Sequence, residues 1–299
     1  MLLITAIIWG TAFVAQSEGM RYVEPFTYNA IRTLLGGIVL IPVIAFLKRI
    51  LSKGSDTEKP ATSRKDTVLG GIVCGIVLFA ASSFQQCGIP MTTAGKAGFI
   101  TALYIIMVPL IQVFLYRRTG FRIWCCVLIA AVGFYLLCIH EGFRIEKGDW
   151  LVLCGAVFFS VHIMVIAFFN SKNADGMVMS CIQFMTAGIL MLICMLLFEH
   201  PTLQGIWDAK ITILYAGVLS CGVAYTLQIL GQRDTDPTVA TLLMSLEAVF
   251  AALSGWLLLH EALSAKELSG CVLVLIAVIA AQLPHPSEKM TKKKRGKMT

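Results

Sequence analysis

Apolar residues lie along the chain in long blocks separated by short polar breaks. Ten blocks are long enough to be read as helical spans, at roughly 1–17, 26–47, 67–86, 94–116, 122–140, 149–169, 176–198, 210–230, 238–259 and 266–283. At about 1.5 Å per residue, some 20 residues cross the roughly 30 Å hydrocarbon layer of a bilayer. The block "TVATLLMSLEAVFAALSGWLLL", residues 238–259, is apolar except for polar residues near its start and one carboxylate, Glu247, near its middle. A charge at that depth costs on the order of 3 kcal/mol and needs compensation from elsewhere in the chain. The pattern predicts an all-α integral membrane protein of ten transmembrane helices.

Composition points the same way. Of 299 residues 58% are hydrophobic and 14% are charged, and the mean hydropathy is +0.82. A soluble domain carries about a quarter charged residues, so the excess apolar surface requires lipid as its solvent. The formal net charge of +7 does not imply nucleic acid as a partner, because the basic residues gather in loops and in the tail "EKMTKKKRGKMT". With the N-terminus in the cytoplasm, the inner side holds seventeen Lys and Arg residues: those from Lys48 to Lys65, Arg117, Arg118, Arg122, Lys172, Arg233 and the tail. The outer side holds six, Arg21, Lys96, Arg144, Lys147, Lys210 and Lys266, and Arg32 lies inside a span. The positive-inside bias therefore puts both termini in the cytoplasm of a multi-pass cell-membrane protein. The first run lacks a basic flank and an A-x-A site, so it reads as a span and not as a cleavable leader.

The two halves resemble each other. "ITAIIWG" aligns with "CGAVFFS" at an offset of 150, "NAIRTLLGGIVL" with "SCIQFMTAGILM" at 151, and "TTAGKAGFITALY" with "TDPTVATLLMSLE" at 143. Five spans per half is an odd number, so the halves must lie in opposite orientations. Two inverted five-helix repeats are a transporter signature, with the site near the midplane between them. The expected division is a first repeat over 1–140, a second over 141–285, and a basic cytoplasmic tail over 286–299.

Three segments, "WGTAFVAQ", "TTAGKAGFITALYIIMVPL" and "LEAVFAALSGWLLLHEAL", resemble the drug/metabolite transporter superfamily, in particular its EamA-type ten-span permeases. The resemblance covers nearly the whole chain. It implies an inner-membrane permease for small metabolites, often an exporter of amino acids or related compounds. The family usually places proline directly after the ninth-span glutamate, where this chain has Ala248, so a weaker kink is expected there. Pro109 supplies a kink in the matching fourth span.

Arg32 and Glu247 are the clearest ionisable residues deep in the spans. One reading makes them a structural ion pair or interhelical glue that offsets both burial costs. The other makes Arg32 the receiver of an anionic substrate group. Glu247 then meets an amino group or carries a coupling proton. The repeat alignment sets Tyr104 opposite Glu247 and Gln183 opposite Arg32. His162 reads either as a packing residue or as a relay or substrate contact. Trp9 lies mid-span, away from the interfacial belt, with Phe159 as its repeat mate. Thr101, in the fourth-span motif, and Gln228 complete the candidate substrate-binding set: Trp9, Arg32, Thr101, Tyr104, Phe159, His162, Gln183, Gln228 and Glu247. Gln85, Gln86 and Gln112 read equally as cavity-facing or as glue between helices.

Gly71-Ile-Val-Cys-Gly75 and the small residues from Ala248 to Gly255 predict close helix contacts and admit a homodimer. The ten cysteines include no C-x-x-C pair and suggest no metal site or disulfide framework. No GxxxxGK[ST], HExxH or GxSxG motif occurs, so neither ATP hydrolysis nor another enzyme activity is expected, and no cofactor is called for. The expected partners are a small-molecule substrate and the lipid bilayer, with proton coupling through Glu247. Multidrug or lipophilic-cation efflux, and a non-transporting sensor or intramembrane enzyme, remain as alternatives.

Overall fold

The computed structural model of the chain describes residues 1–53, 62–92, 94–115, 120–138, 146–259 and 264–282. Most of the polar connection after α2, Arg117, Arg118, Arg144 and the basic tail, on which the inside and outside assignment partly rests, lie outside the described residues, as does the side chain of Lys96. Every regular element among the described residues is helical. They are α1 (Leu2–Gly19), α2 (Pro25–Lys53), α3 (Arg64–Gly88), α4 (Ala94–Ala102), α5 (Tyr104–Phe114), α6 (Phe121–Cys138), α7 (Lys147–Ser171), α8 (Gly176–Phe198), α9 (Leu203–Asp208), α10 (Lys210–Leu214), α11 (Thr226–Gly231), α12 (Pro237–Met244), α13 (Leu246–Leu259) and α14 (Ala265–Gln282). A wide π-helical stretch, Tyr215–Tyr225, joins α10 to α11.

Seven helical stretches are long and apolar enough to cross a membrane, and three shorter apolar ones, Ile100–Phe114, Phe121–Gly133 and Leu268–Ala281, fall in the fourth, fifth and tenth expected spans. The exterior carries large apolar side chains such as Phe114, Phe121, Leu197 and Ile211, as a lipid-facing surface does.

Two of the expected spans are broken. The fourth divides into α4 and α5 at Leu103, and the ninth into α12 and α13 at Ser245. Near Glu247 the kink takes the form of a one-residue break at Ser245, whose backbone stays in the right-handed helical region (φ −63°, ψ −13°), without a proline. At the break the Thr241 hydroxyl donates to the Thr238 carbonyl at 2.7 Å and the Ser245 hydroxyl to the Leu242 carbonyl at 2.8 Å. Such back-bonds compete with the helical ladder and bend it. Pro109 lies inside α5, not at the break.

Close backbone approaches set the helix positions. A Cβ added at Gly10 would lie 2.5 Å from the Phe250 Cβ and 2.6 Å from the Glu247 carbonyl oxygen, so α1 meets α13 at the level of Glu247. The Gly71 and Gly75 faces meet Ile182 and Thr186 on α8, as the spacing predicted. Helices α6 and α14 pack on each other through Cys126, Val127, Ala130, Val274 and Ala277.

A carboxylate far along the chain caps α2. Glu199 accepts from the Phe26 and Thr27 backbone amides at 2.7 and 2.6 Å and from the Thr27 hydroxyl at 2.7 Å. The first-turn N–H groups of a helix have no partner within it, and an anion there also meets the positive end of the helix dipole. Glu199→Ala is therefore expected to destabilise the fold by about 2 kcal/mol, with Glu199→Gln recovering part of the loss. Thermal unfolding in detergent checks this; equal midpoints for the Ala variant and the parent would refute it.

Candidate functional site

The elements converge on one central cavity. It contains about 500 Å³ of space free of protein atoms, its mouth and the solvent-open region included. Helix α1 contributes Trp9, Phe13 and Gln16, which share a face at helical spacing. Arg32 comes from α2, Gln85 from α3, Thr101 from α4 and Tyr104 from α5. Phe159 and Ile163 come from α7, Ser220 and Tyr225 from the π-helical stretch, Gln228 from α11 and Glu247 from α13. Helices α6, α8 and α14 supply no lining residue, so Gln183 on α8 stands outside the lining. In a π-helix five residues make about one turn, which helps Ser220 and Tyr225 to share the cavity side.

Arg32 is buried, with 5% exposure. Its Nε donates to Asn29 Oδ1 at 2.8 Å, Asn29 Nδ2 donates to the Ser82 carbonyl at 3.0 Å, and its guanidinium carbon lies 5.6 Å from the centre of the Tyr28 ring. These contacts hold the side chain in place without neutralising it. Among the described residues the ion pair within 4.0 Å is the surface contact of Arg21 with Glu18, at 3.1 Å. Arg32 and Glu247 share a cavity but do not form the structural ion pair weighed from the sequence.

Glu247 lies in the first turn of α13 and is equally buried. Tyr104, at the start of α5, donates its hydroxyl to Glu247 Oε1 at 2.9 Å. The bond links the two broken spans just past both breaks, between residues the repeat alignment had set opposite each other. Aromatic rings form the surrounding wall: the Trp9 and Tyr225 centroids are 4.6 Å apart, and Phe184 lies behind Tyr225 at 5.5 Å. Polar atoms punctuate that wall. Gln85 Nε2 donates to Thr101 Oγ1 at 2.9 Å. The Trp9 indole N–H, Gln16 Oε1 and Gln228 Oε1 are buried with no protein partner among the described residues. Each such atom carries a penalty of about 1–3 kcal/mol until something bonds to it.

The structure thus brings together Trp9, Arg32, Thr101, Tyr104, Phe159, Gln228 and Glu247 from the candidate set. It does not bring in His162 and Gln183. Their side chains bond to each other, His162 Nε2 to Gln183 Oε1 at 3.0 Å, with the imidazole edge-on to Tyr225 at 6.1 Å. They support the wall from behind. The sequence reading missed Phe13, Gln16, Ile163, Ser220 and Tyr225. A signal existed for most of them: Phe13 and Gln16 follow Trp9 by four and seven positions, Ile163 follows Phe159 by four, and Tyr225 precedes Gln228 by three. Among the described residues no group of three or more His, Cys, Asp or Glu residues could hold a metal ion.

Chemically the cavity offers a fixed cation, a carboxylate held by one hydroxyl, an aromatic wall and several amides. That set suits a small molecule with both an anionic and a cationic group.

A profile described as the EamA-like transporter family matches residues 1–139 and 146–281. An uncharacterized transporter of Archaeoglobus fulgidus is 30% identical over 94% of this chain and 84% of its own length. The uncharacterized transporter YoaV of Bacillus subtilis is 21% identical over 91% of this chain and 92% of its own. The uncharacterized inner membrane transporter YedA of Escherichia coli is 25% identical over 93% and 88%. A solved crystal structure superposes with a TM-score of 0.74 at 20% identity, over 94% of this chain and 95% of that one, a likeness of fold.

Proposed function

The chain belongs to the EamA-like transporter family, and from that premise we propose that it is a permease that exports amino acids or closely related small zwitterions across the cell membrane by alternating access. The observation that carries this reading is Arg32, a buried guanidinium with no carboxylate of the described residues in ion-pair range, in the same cavity as Glu247. Arg32 receives the substrate carboxylate. Glu247 takes the ammonium group or the coupling proton, and Trp9, Phe13, Phe159 and Tyr225 cover the apolar part.

The architecture that fits this mechanism is two inverted five-helix repeats, about 1–140 and 141–285, followed by the tail 286–299, with both termini cytoplasmic. The internal sequence repeat supports it, as do the two breaks, which fall within one residue of each other in the repeat register. Inverted repeats exchange conformations between two mirror-related states, and interrupted helices at the midplane place polar groups around the site. A cation pump for lipophilic drugs is a weaker fit, because Arg32 in the same cavity repels a cation. No enzyme chemistry is assigned.

The test is release from proteoliposomes. Vesicles are loaded with amino acids, amines, organic acids, nucleosides and sugars, and protein-dependent release is read by mass spectrometry with and without a pH gradient. Selective release of zwitterions is expected. Release of lipophilic cations alone, or of no compound from folded protein, would overturn the proposal.

A further inference from the structure

Successive antiparallel helices put Met1, the end of α5 and the start of α12 at one end of the molecule. At that end the cavity has an apolar floor. Leu2, Val108, Ala240 and Met244 are buried there in one cluster with the lining residues Tyr104 and Ile163. Beyond the floor lies a polar knot. Gln112 on α5 is almost fully buried. Its Nε2 donates to Asp236 Oδ2 at 3.3 Å, and the Thr238 hydroxyl donates to its Oε1. Asp236 also caps α12 through the Thr238 amide at 2.9 Å. The knot therefore ties the second half of one broken span to the first half of the other.

The repeat has no second copy of it. At the offset of 143 that pairs Tyr104 with Glu247, Gln112 corresponds to Gly255, Thr238 to Gly95 and Asp236 to Thr93. Two glycines offer no side chain with which to make an equivalent knot at the other end of the molecule. A two-state rocker made of equivalent repeats has two gates of similar strength. Here one gate has a side-chain lock that the repeat-equivalent glycines, Gly95 and Gly255, cannot make at the other.

We infer that Gln112, Asp236 and Thr238 form a one-sided latch that holds the cavity shut at the Met1 end and biases the resting protein toward that closed state. The inference rests on the alternating-access reading for its consequence in transport, though the latch itself is a statement about helix separation. Opening at the Met1 end separates α5 from α12, so these bonds must break first. An equilibrium between two packings shifts by the difference in contacts that each state makes. Gln112 acts on the gate and is not placed in the substrate site.

Hydrogen–deuterium exchange on the full chain in nanodiscs tests the latch without requiring transport. Gln112→Leu and Thr238→Val are expected to raise amide exchange about tenfold in segments 104–114 and 237–244. The packed pair α6 and α14 should keep the parental rate. Val113→Ala, on the exposed side of α5, should leave all segments at the parental rate. Parental protection of 104–114 and 237–244 in both latch variants would overturn the inference, and so would a uniform rise across all helices, which reports global loosening. If exchange rises locally while proteoliposomes release no substrate, the latch stands and the transport proposal fails.

Discussion

Replacing Arg32 with methionine is expected to cut the initial rate of zwitterion release by about 100-fold or more. A charge-assisted, two-pronged contact between guanidinium and carboxylate in a desolvated site is worth about 2–5 kcal/mol, and each 1.4 kcal/mol is a factor of ten. Methionine keeps much of the volume and the apolar stem but removes every donor. The structural penalty should be smaller, because what the fold loses is the bond from Nε to Asn29 and the stacking over Tyr28. Arg32→Lys should retain part of the rate, since a point charge replaces a planar fork. The check is the release assay run beside a folding measure such as monodisperse elution from a sizing column. The loss should be confined to compounds that carry a carboxylate, and amines lacking it should be affected far less. A parental rate in a folded Arg32→Met variant would remove Arg32 from the site.

Glu247→Gln is expected to abolish transport with near-normal expression and folding. The amide oxygen can still accept the Tyr104 hydroxyl, so the link between the two broken spans survives while the charge and the titratable proton are lost. Tyr104→Phe is the complementary change: it keeps the carboxylate and removes the link, and it should reduce the rate less. Two assays on the glutamine variant separate the roles of the carboxylate. Loss of gradient-driven movement with retained exchange between two substrate pools assigns Glu247 to the proton. Loss of both assigns it to the substrate ammonium. Full activity in both assays would leave Glu247 a buried polar contact and no more.

Much of this protein is legible in its sequence. The membrane class and the approximate helical spans follow from run length and composition, because bilayer thickness sets a length requirement that a linear sequence either meets or fails. The pairing of Tyr104 with Glu247 was visible as a repeat correspondence. Trp9, Phe159 and Arg32, candidates for their polar or aromatic character at mid-span depth, line the same cavity. Phe13, Gln16 and Tyr225 were within reach of the same logic, one turn away on faces already singled out.

Other features needed the tertiary structure. His162 and Gln183 carry the same mid-span polarity as Gln228, yet His162 Nε2 bonds Gln183 Oε1 behind Tyr225 instead of facing the cavity. Whether Arg32 and Glu247 neutralise each other was open in the sequence, since two charges on different helices pair only if the helices are rotated to suit. The ninth-span break at Ser245 occurs without a proline, beside hydroxyl back-bonds from Thr241 and Ser245. The difference has one physical root. Solvent preference and run length are local properties of the chain, so the sequence alone determined a bundle of apolar helices with a few buried polar groups. Rotation and depth of each helix are set by close approaches such as Gly10 against Phe250, between residues distant in sequence, and only the folded bundle decided which of those polar groups face the cavity.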